Sequence, residues 1–578
     1  MRFSAWNMPA RCGLLLPLLL WFAPAGAALE RVDDFALLDQ HGEFHQLSRY
    51  RHLRALAVMA YRADCPAMAD LAAGFEELGE TFGGEDIAFL YIDSDGIDSK
   101  ASDRAPTRGP EGGLPVLDDA GRLVSAALEL SAAGEVALLN PRRLSLFYQG
   151  AAGAGFEDAL RAVIGGALAD SLRTDPPATC PIAYPLREAM LAEPPDYASE
   201  VAPRIIENCG QCHRRGGVGP FALDSYLMLL GWSPMIREVL LNKRMPPMQL
   251  DPRLGHSRDA RHLAVEDLRV LVNWIDAGAP GGTSGDDPLG ALSTAPKLNW
   301  RLGEPDYIVA TPPRDIPPTG VLDYNYETAE LSFEEERWVR ALQYLPGEAS
   351  VLHHLMIFVT GGGEDFWGAE RQREISVRNF LDGYAPGQDL LREFPPGTGV
   401  RIGPGEKLSL QFHYVTNGQS TSDATRIGLY FHAAPPAREF ATAAVSTRFT
   451  LPPNEPEFPL RASHPLAHDA VLFGVRARMN FRGKKMKFAY QAPGEAPRDI
   501  LSVPAYNYGW QPNYRLDKPI ELPAGTVLHV SGAFDNSVSN PNNPNPDAEL
   551  RFGVESWEEM FTGYFTYHRA RQAENHDS

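Results

Sequence analysis

Cysteine is scarce in this chain, with five among 578 residues, too few for the disulfide framework of a small secreted scaffold. Basic residues are also in deficit: 53 Lys and Arg stand against 74 Asp and Glu, a net charge of -21. Nucleic acid is therefore excluded as an expected partner, because phosphate binding needs clustered cations. After Phe22 no stretch offers the about 18 uninterrupted apolar residues of a membrane span, so no membrane crossing is expected in the mature chain. Proline (49) and glycine (52) are plentiful, and they suggest many turns and a β-rich bulk. The length exceeds what one hydrophobic core supports, which points to a multidomain α+β protein.

The N-terminus carries Arg2 and Arg11, an apolar run from Gly13 to Phe22, and Ala25-Gly26-Ala27. These are the three parts of a secretory signal, with cleavage expected after Ala27. Export through that signal would also remove Cys12, leaving Cys65, Cys180, Cys209 and Cys212.

Residues 28–165 alternate strand-like runs (Ala55 to Tyr61, Ile87 to Ile92, Val136 to Asn140) with a helical one (Ala67 to Leu78), the rhythm of an α/β domain. Residues 166–198 are Pro-rich and read as a linker. The next segment, 199–282, has helical patterning and reads as a small all-α domain, followed by a second linker at 283–299. From 300 to 570, short alternating runs such as Leu408 to Tyr414 and Thr526 to Val530 suggest two consecutive β-sandwiches of jelly-roll type, 300–440 and 441–570.

Cys209-Gly210-Gln211-Cys212-His213 has the spacing that lets two thiols add to the haem vinyls while the adjacent imidazole reaches the iron. Zinc would need a second ligand pair nearby, and a dithiol switch would not need the histidine. One covalent haem c is therefore expected, and covalent haem in an exported chain places the protein in a bacterial periplasm. Its second axial ligand is sought in Arg244-Met245-Pro246-Pro247-Met248, with Met245 preferred over Met248. His256 and His262 read as surface or packed residues.

Asp64-Cys65-Pro66, directly after a strand and before a helix, together with Leu114-Pro115-Val116-Leu117-Asp118, resembles the thioredoxin-like and redoxin families, the second stretch looking like their cis-proline segment. Position 68 is Met where a dithiol enzyme has its second cysteine, and position 62 is Arg where a peroxidatic site has Thr. Cys65, the candidate catalytic thiol, is therefore read as a structural or partner-docking residue. The stretches around 212–221 and 273–280 resemble the haem domain of a bacterial family in which cytochrome c precedes a copper monooxygenase-like module.

Leu352-His353-His354-Leu355-Met356, Leu410-Gln411-Phe412-His413-Tyr414 and Trp557-Glu558-Glu559-Met560 resemble the type II copper, ascorbate-dependent monooxygenases, the group of the peptidylglycine hydroxylating and dopamine β-monooxygenases. Neighbouring histidines on a strand point to opposite faces, so His353 and His354 share an ion only if the strand bends. With His413 they make three imidazoles, a set that suits copper, the alternative being cross-strand packing. The resemblance implies a second copper held by a His-x-His pair and a Met. Met560 remains in place, but aligning on Phe481-Arg482-Gly483-Lys484 sets Arg478 and Asn480 at the histidine positions, and a guanidinium cannot ligate. One copper is expected and a second is in doubt, with His464 and His468 as substitute imidazoles only if their loop folds inward.

The expected function is a redox protein that oxidises or hydroxylates an organic substrate with electrons passed through the haem, supplied by a partner protein or small-molecule reductant. The alternatives are a non-catalytic electron-transfer or copper-handling scaffold and a thiol oxidoreductase acting through Cys65.

Overall fold

The computed structural model describes residues 30–94, 113–167, 171–247, 250–281 apart from 256, 258, 261 and 262, 285–366 apart from 296, and 379–570 apart from 554 and 556. The signal sequence, Met248, His256 and His262 lie outside the described residues. No helix among the described residues is long and apolar enough to cross a membrane.

The N-terminal unit is one sheet built from β1 (Ala55–Tyr61), β2 (Ile87–Asp93), β3 (Val116–Asp118), β4 (Glu135–Asn140), β5 (Ser145–Ala151) and β6 (Leu172–Arg173), in the order β3-β2-β1-β4-β5-β6. β1, β2 and β3 run parallel, β4 runs antiparallel to both β1 and β5, and β6 runs parallel to β5. β1 is apolar on both faces because both are covered. On one side lies α1 (Met68–Phe82), which buries Met68, Ala72, Phe75 and Phe82 at helical spacing, together with α2 (Ala154–Ile164).

The chain corrects the sequence reading at three places in and around this unit. Of the expected linker at 166–198, residues 171–198 are a packed strap: β6 joins the sheet beside β5, the Cys180 carbonyl accepts from Ala133 N–H and Ile182 N–H donates to the Ser131 carbonyl, and Cys180 is disulfide-bonded to Cys65 across 115 residues. Prolines forgo only a donor, so a Pro-rich strand can still lie along a sheet edge. The Leu114–Pro115 bond is trans, since Met245–Pro246 is the one cis peptide among the described residues; here the Pro115 carbonyl accepts from Tyr91 N–H and β3 continues straight alongside β2. The second expected linker is also structured: Leu289 and Leu292 are buried with the helical core.

That core joins α3 (Pro185–Ala192), α4 (Ala202–Asn208), α5 (Tyr226–Leu241) and α6 (Val265–Asp276) around Val201, Ile205, Leu229 and Trp274. α4 ends at Asn208 and so delivers Cys209 at its C-terminus.

The first β half places β8 (Asn325–Glu330), β10 (Leu352–Thr360), β11 (Asn379–Tyr384) and β13 (Lys407–Tyr414) in one sheet, order β8-β13-β10-β11. It packs on β7 (Tyr307–Ala310), β9 (Arg337–Leu345), β12 (Thr398–Ile402) and β14 (Arg426–Phe431) through a shared apolar core. The second half repeats the design. There β16 (Phe458–Pro465), β18 (Gly483–Gln491), β19 (Arg498–Val503) and β21 (Val527–Phe534) face β15 (Arg438–Thr447), β17 (Ala470–Arg478), β20 (Tyr514–Leu522) and β22 (Phe561–Ala570). The expected boundary near 440 is not a break. β12 pairs in parallel with β15 at Thr398↔Arg438 and Gly399↔Glu439, so one nine-stranded sheet runs through both halves.

Candidate metal centre

His354 stands opposite His413 on the paired strands β10 and β13, and the register slips between Leu352 and His354. This bulge is the bend that two neighbouring histidines need: it turns His353 toward the same point as His354 and His413. The Nδ1 atom of His353 lies 3.1 Å from the Nδ1 of His354 and 3.1 Å from that of His413. On the outer side, His353 donates to the Gly509 backbone carbonyl and His413 to that of Leu322. Each of these rings spends its hydrogen on a carbonyl and turns a lone pair inward, the arrangement that fixes a ligating tautomer. The three residues also form a group whose possible ligand atoms all lie within 4.8 Å of one another.

Burial chiefly, with the nearby Arg478 charge and the neighbouring rings, disfavours protonation throughout the cluster. His353 falls to about 4 and His413 to about 3, and His354 drops well below its ordinary value. Three neutral imidazoles facing one centre suit copper or zinc.

The second half treats the equivalent positions differently. Arg478 is only 1% exposed, yet no carboxylate among the described residues pairs with it. Instead its guanidinium donates to Gln511 Oε1 at 2.6 Å, Tyr324 hydroxyl at 3.1 Å and Gln411 Oε1 at 3.2 Å. Asn480 donates from its side chain to the carbonyls of Glu555 and Glu558, each at 2.9 Å, and from its backbone to Glu559 Oε2. Met560 is buried, just before Phe561, where β22 begins. His464 is on strand β16 rather than in a loop, and both His464 and His468 are exposed, so neither folds inward as a substitute ligand. The pairing of β16 with β21 fixes His464 opposite Leu528 on that face.

In the helical segment, His213 Nδ1 lies 3.1 Å from the Phe221 carbonyl, which leaves Nε2 as the outward atom. Burial lowers its pKa, keeping it in the neutral, ligating form. Phe221 stacks between His213, at 4.8 Å, and Trp232, at 4.1 Å. Both Cys209 and Cys212 are free of disulfide, and burial with the adjacent Cys212 pushes the Cys209 thiol up to about 12. A thiol so reluctant to ionise is a poor exchange nucleophile. Met245 lies beyond α5 and is 39% exposed, and α5 itself exposes Leu227, Met228, Leu230 and Met235. Cys65, being half of a disulfide, offers no thiolate in this state.

Sequence reading missed the residues that wall the histidine cluster. Tyr324 lies edge-on to His354 and His413 at 5.7 and 5.2 Å, and Tyr508 sits 6.4 Å from His353, with the two hydroxyls 2.8 Å apart. Their positions, 30 residues before His354 and far beyond β13, carry no local motif; only the fold brings them in.

No family model and no curated protein matches the chain in sequence. Among solved structures, the chain is similar to a hypothetical protein from Sinorhizobium meliloti 1021, at 24% identity over 27% of this chain and 92% of that one, TM-score 0.24. It is also similar to peroxidoxin BcpB from Mycobacterium tuberculosis, at 19% identity over 25% and 99%, TM-score 0.19. A thioredoxin-like protein from Aeropyrum pernix matches at 17% identity over 23% and 89%, TM-score 0.19.

Proposed function

We propose that this chain is an exported, periplasmic redox protein with one haem c on Cys209, Cys212 and His213 and one copper ion on His353, His354 and His413. The observation that carries the copper assignment is the convergence of three neutral imidazoles, two of which give their ring hydrogens to backbone carbonyls on the outer side. For the haem, the motif spacing is supported by the His213–Phe221 bond and by the exposed thioether of Met245, the proposed second axial ligand. The copper would supply one-electron redox chemistry and the haem would hold the electron that feeds it.

The residues around the cluster keep its ligands deprotonated and fixed in tautomer. Tyr324 and Tyr508 screen it from water, and Arg478 adds a buried positive charge nearby. Oxidation of an organic substrate is the activity we assign, with the reducing electron entering through the haem from a partner protein or small-molecule reductant. A two-copper hydroxylation finds no support at Arg478 and Asn480, whose hydrogen-bonding groups are already engaged. That same observation favours a second reading, an electron-transfer or copper-handling scaffold without a substrate.

Metal analysis of the purified holoprotein, with haem staining after denaturation, tests the proposal. One iron and one copper per chain, with covalent stain lost in Cys209→Ala, is the expected result. Absence of copper would overturn the metal site, retained stain would overturn the haem, and two coppers would restore the hydroxylase mechanism.

A further inference from the structure

The haem-binding motif and the histidine cluster lie in different parts of the chain, yet one short turn touches both. Asn507 and Trp510 close it through the Trp510 N–H to Asn507 carbonyl bond at 2.9 Å, and Asn507 Oδ1 holds the Gly509 N–H at 2.9 Å. At one end, the Gly509 carbonyl accepts the His353 ring hydrogen. At the other, the Trp510 indole reaches the helical segment beside Gly387. A Cβ added to Gly387 would sit 2.7 Å from the Trp510 ring and 3.2 Å from Cys212 Sγ, so ring and sulfur are no farther apart than those two contacts laid end to end.

Two further details favour this approach over chance packing. Gly387 has φ +78°, a conformation that side chains rarely adopt, and it lacks the one carbon that would wedge indole and sulfur apart. Trp510 Nε1 is buried without a hydrogen-bond partner, a cost of about 1–3 kcal/mol for a group that phenylalanine would spare. An indole retained at that cost, between a haem-attachment sulfur and a carbonyl bonded to a metal-ligand ring, needs a reason beyond filling space.

We infer that Trp510, with the Gly509 carbonyl, is the through-protein bridge that carries electrons from the haem edge at Cys212 to the metal at His353. This rests on the cofactor assignment proposed above. With both groups bound, the step would move one electron and no atom, the haem iron serving as reductant and the copper as oxidant, and no proton or bond would change. The path is short and largely bonded: the sulfur and the indole face each other across Gly387, one peptide link joins Trp510 to Gly509, and one hydrogen bond joins Gly509 to His353. Trp510 is thus a positioning and conducting residue, since it binds neither cofactor.

Flash photoreduction of the haem in oxygen-free, Cu(II)-loaded holoprotein, with reoxidation followed in the haem absorbance, measures the transfer directly. Trp510→Leu should slow it by an order of magnitude or more, with haem and copper stoichiometries unchanged. Should Trp510→Leu fail to hold both cofactors, Trp510→Phe, which keeps a ring in place, serves instead and should show a smaller fall. A variant that holds both cofactors and transfers at the wild-type rate would overturn the bridge while leaving the cofactor assignment standing. Wild-type protein that binds both cofactors but shows no transfer would overturn the haem-to-copper reading itself, and the bridge with it.

Discussion

The two β halves are built alike, each around its own buried apolar core, but they dispose of polar side chains in opposite ways. At His353, His354 and His413, two of the rings have given their hydrogens to carbonyls and all three turn acceptor atoms toward one point. At Arg478 and Asn480, the buried groups donate outward to Gln411, Tyr324, Gln511 and the carbonyls of Glu555 and Glu558. Buried acceptors facing one another are unfavourable unless something positive sits among them; buried donors facing acceptors are already satisfied. The contrast teaches that a metal centre is better recognised by where its hydrogens go than by whether a motif survives.

The largest effect that could break this contrast is removal of a ligand. His413→Ala should lower copper affinity by at least about a hundredfold, given that even outer partners of metal ligands matter tenfold to a hundredfold, and should leave covalent haem untouched. Copper content measured on the purified variant checks this; full copper in His413→Ala would mean that the two halves are alike after all.

Acid should sharpen the contrast next. His353 and His413 are held down at about 4 and about 3 from an ordinary 6.5. Between these values the unfolded chain binds protons that the folded cluster refuses, so stability of the metal-free protein should be full above pH 6.5 and decline as pH falls toward 4. Copper, which competes with the same protons, should stay bound at pH 5 and leave below about pH 4. Urea unfolding and copper retention across that range would show it, and release already at pH 6 would contradict the burial-driven depression.

Arg478→Met comes third. It would strand Gln411, Gln511 and Tyr324 without their common donor and remove a buried charge, a loss of roughly 2–4 kcal/mol, while copper stoichiometry stays at its wild-type value. Denaturant midpoints and metal content, read together, separate a structural arginine from one that guards a metal.

Much of this was legible in the sequence, for reasons that differ by residue. Cys209, Cys212 and His213 lie within one short stretch, and so the haem expectation rests on spacing alone. His353 and His354 were legible as residues but not as a site: strand alternation sets them apart, and the bulge at Leu352–His354 that reunites them leaves no mark in composition. Trp510, Tyr324 and Tyr508 were illegible because long-range strand pairing alone brings them to the cluster. The strap at 171–198 misled because proline content reports a missing donor, and a sheet edge tolerates that.

The smallest effect concerns Met560, whose thioether the sequence resemblance offers as a copper ligand. Its side chain is 3% exposed and lies beside Glu559, whose carboxylate is held by the backbone N–H groups of Asn480 and Arg482. With Arg478 and Asn480 engaged elsewhere, those two positions offer it no nitrogen ligand with which to share an ion. Met560→Leu conserves volume and should therefore cost less than about 1.5 kcal/mol and leave copper at its wild-type level. A leucine at this position that removed copper would make the thioether a ligand, and the second half would then have to be read as a metal site whose nitrogen donors come from somewhere other than the two positions the family uses.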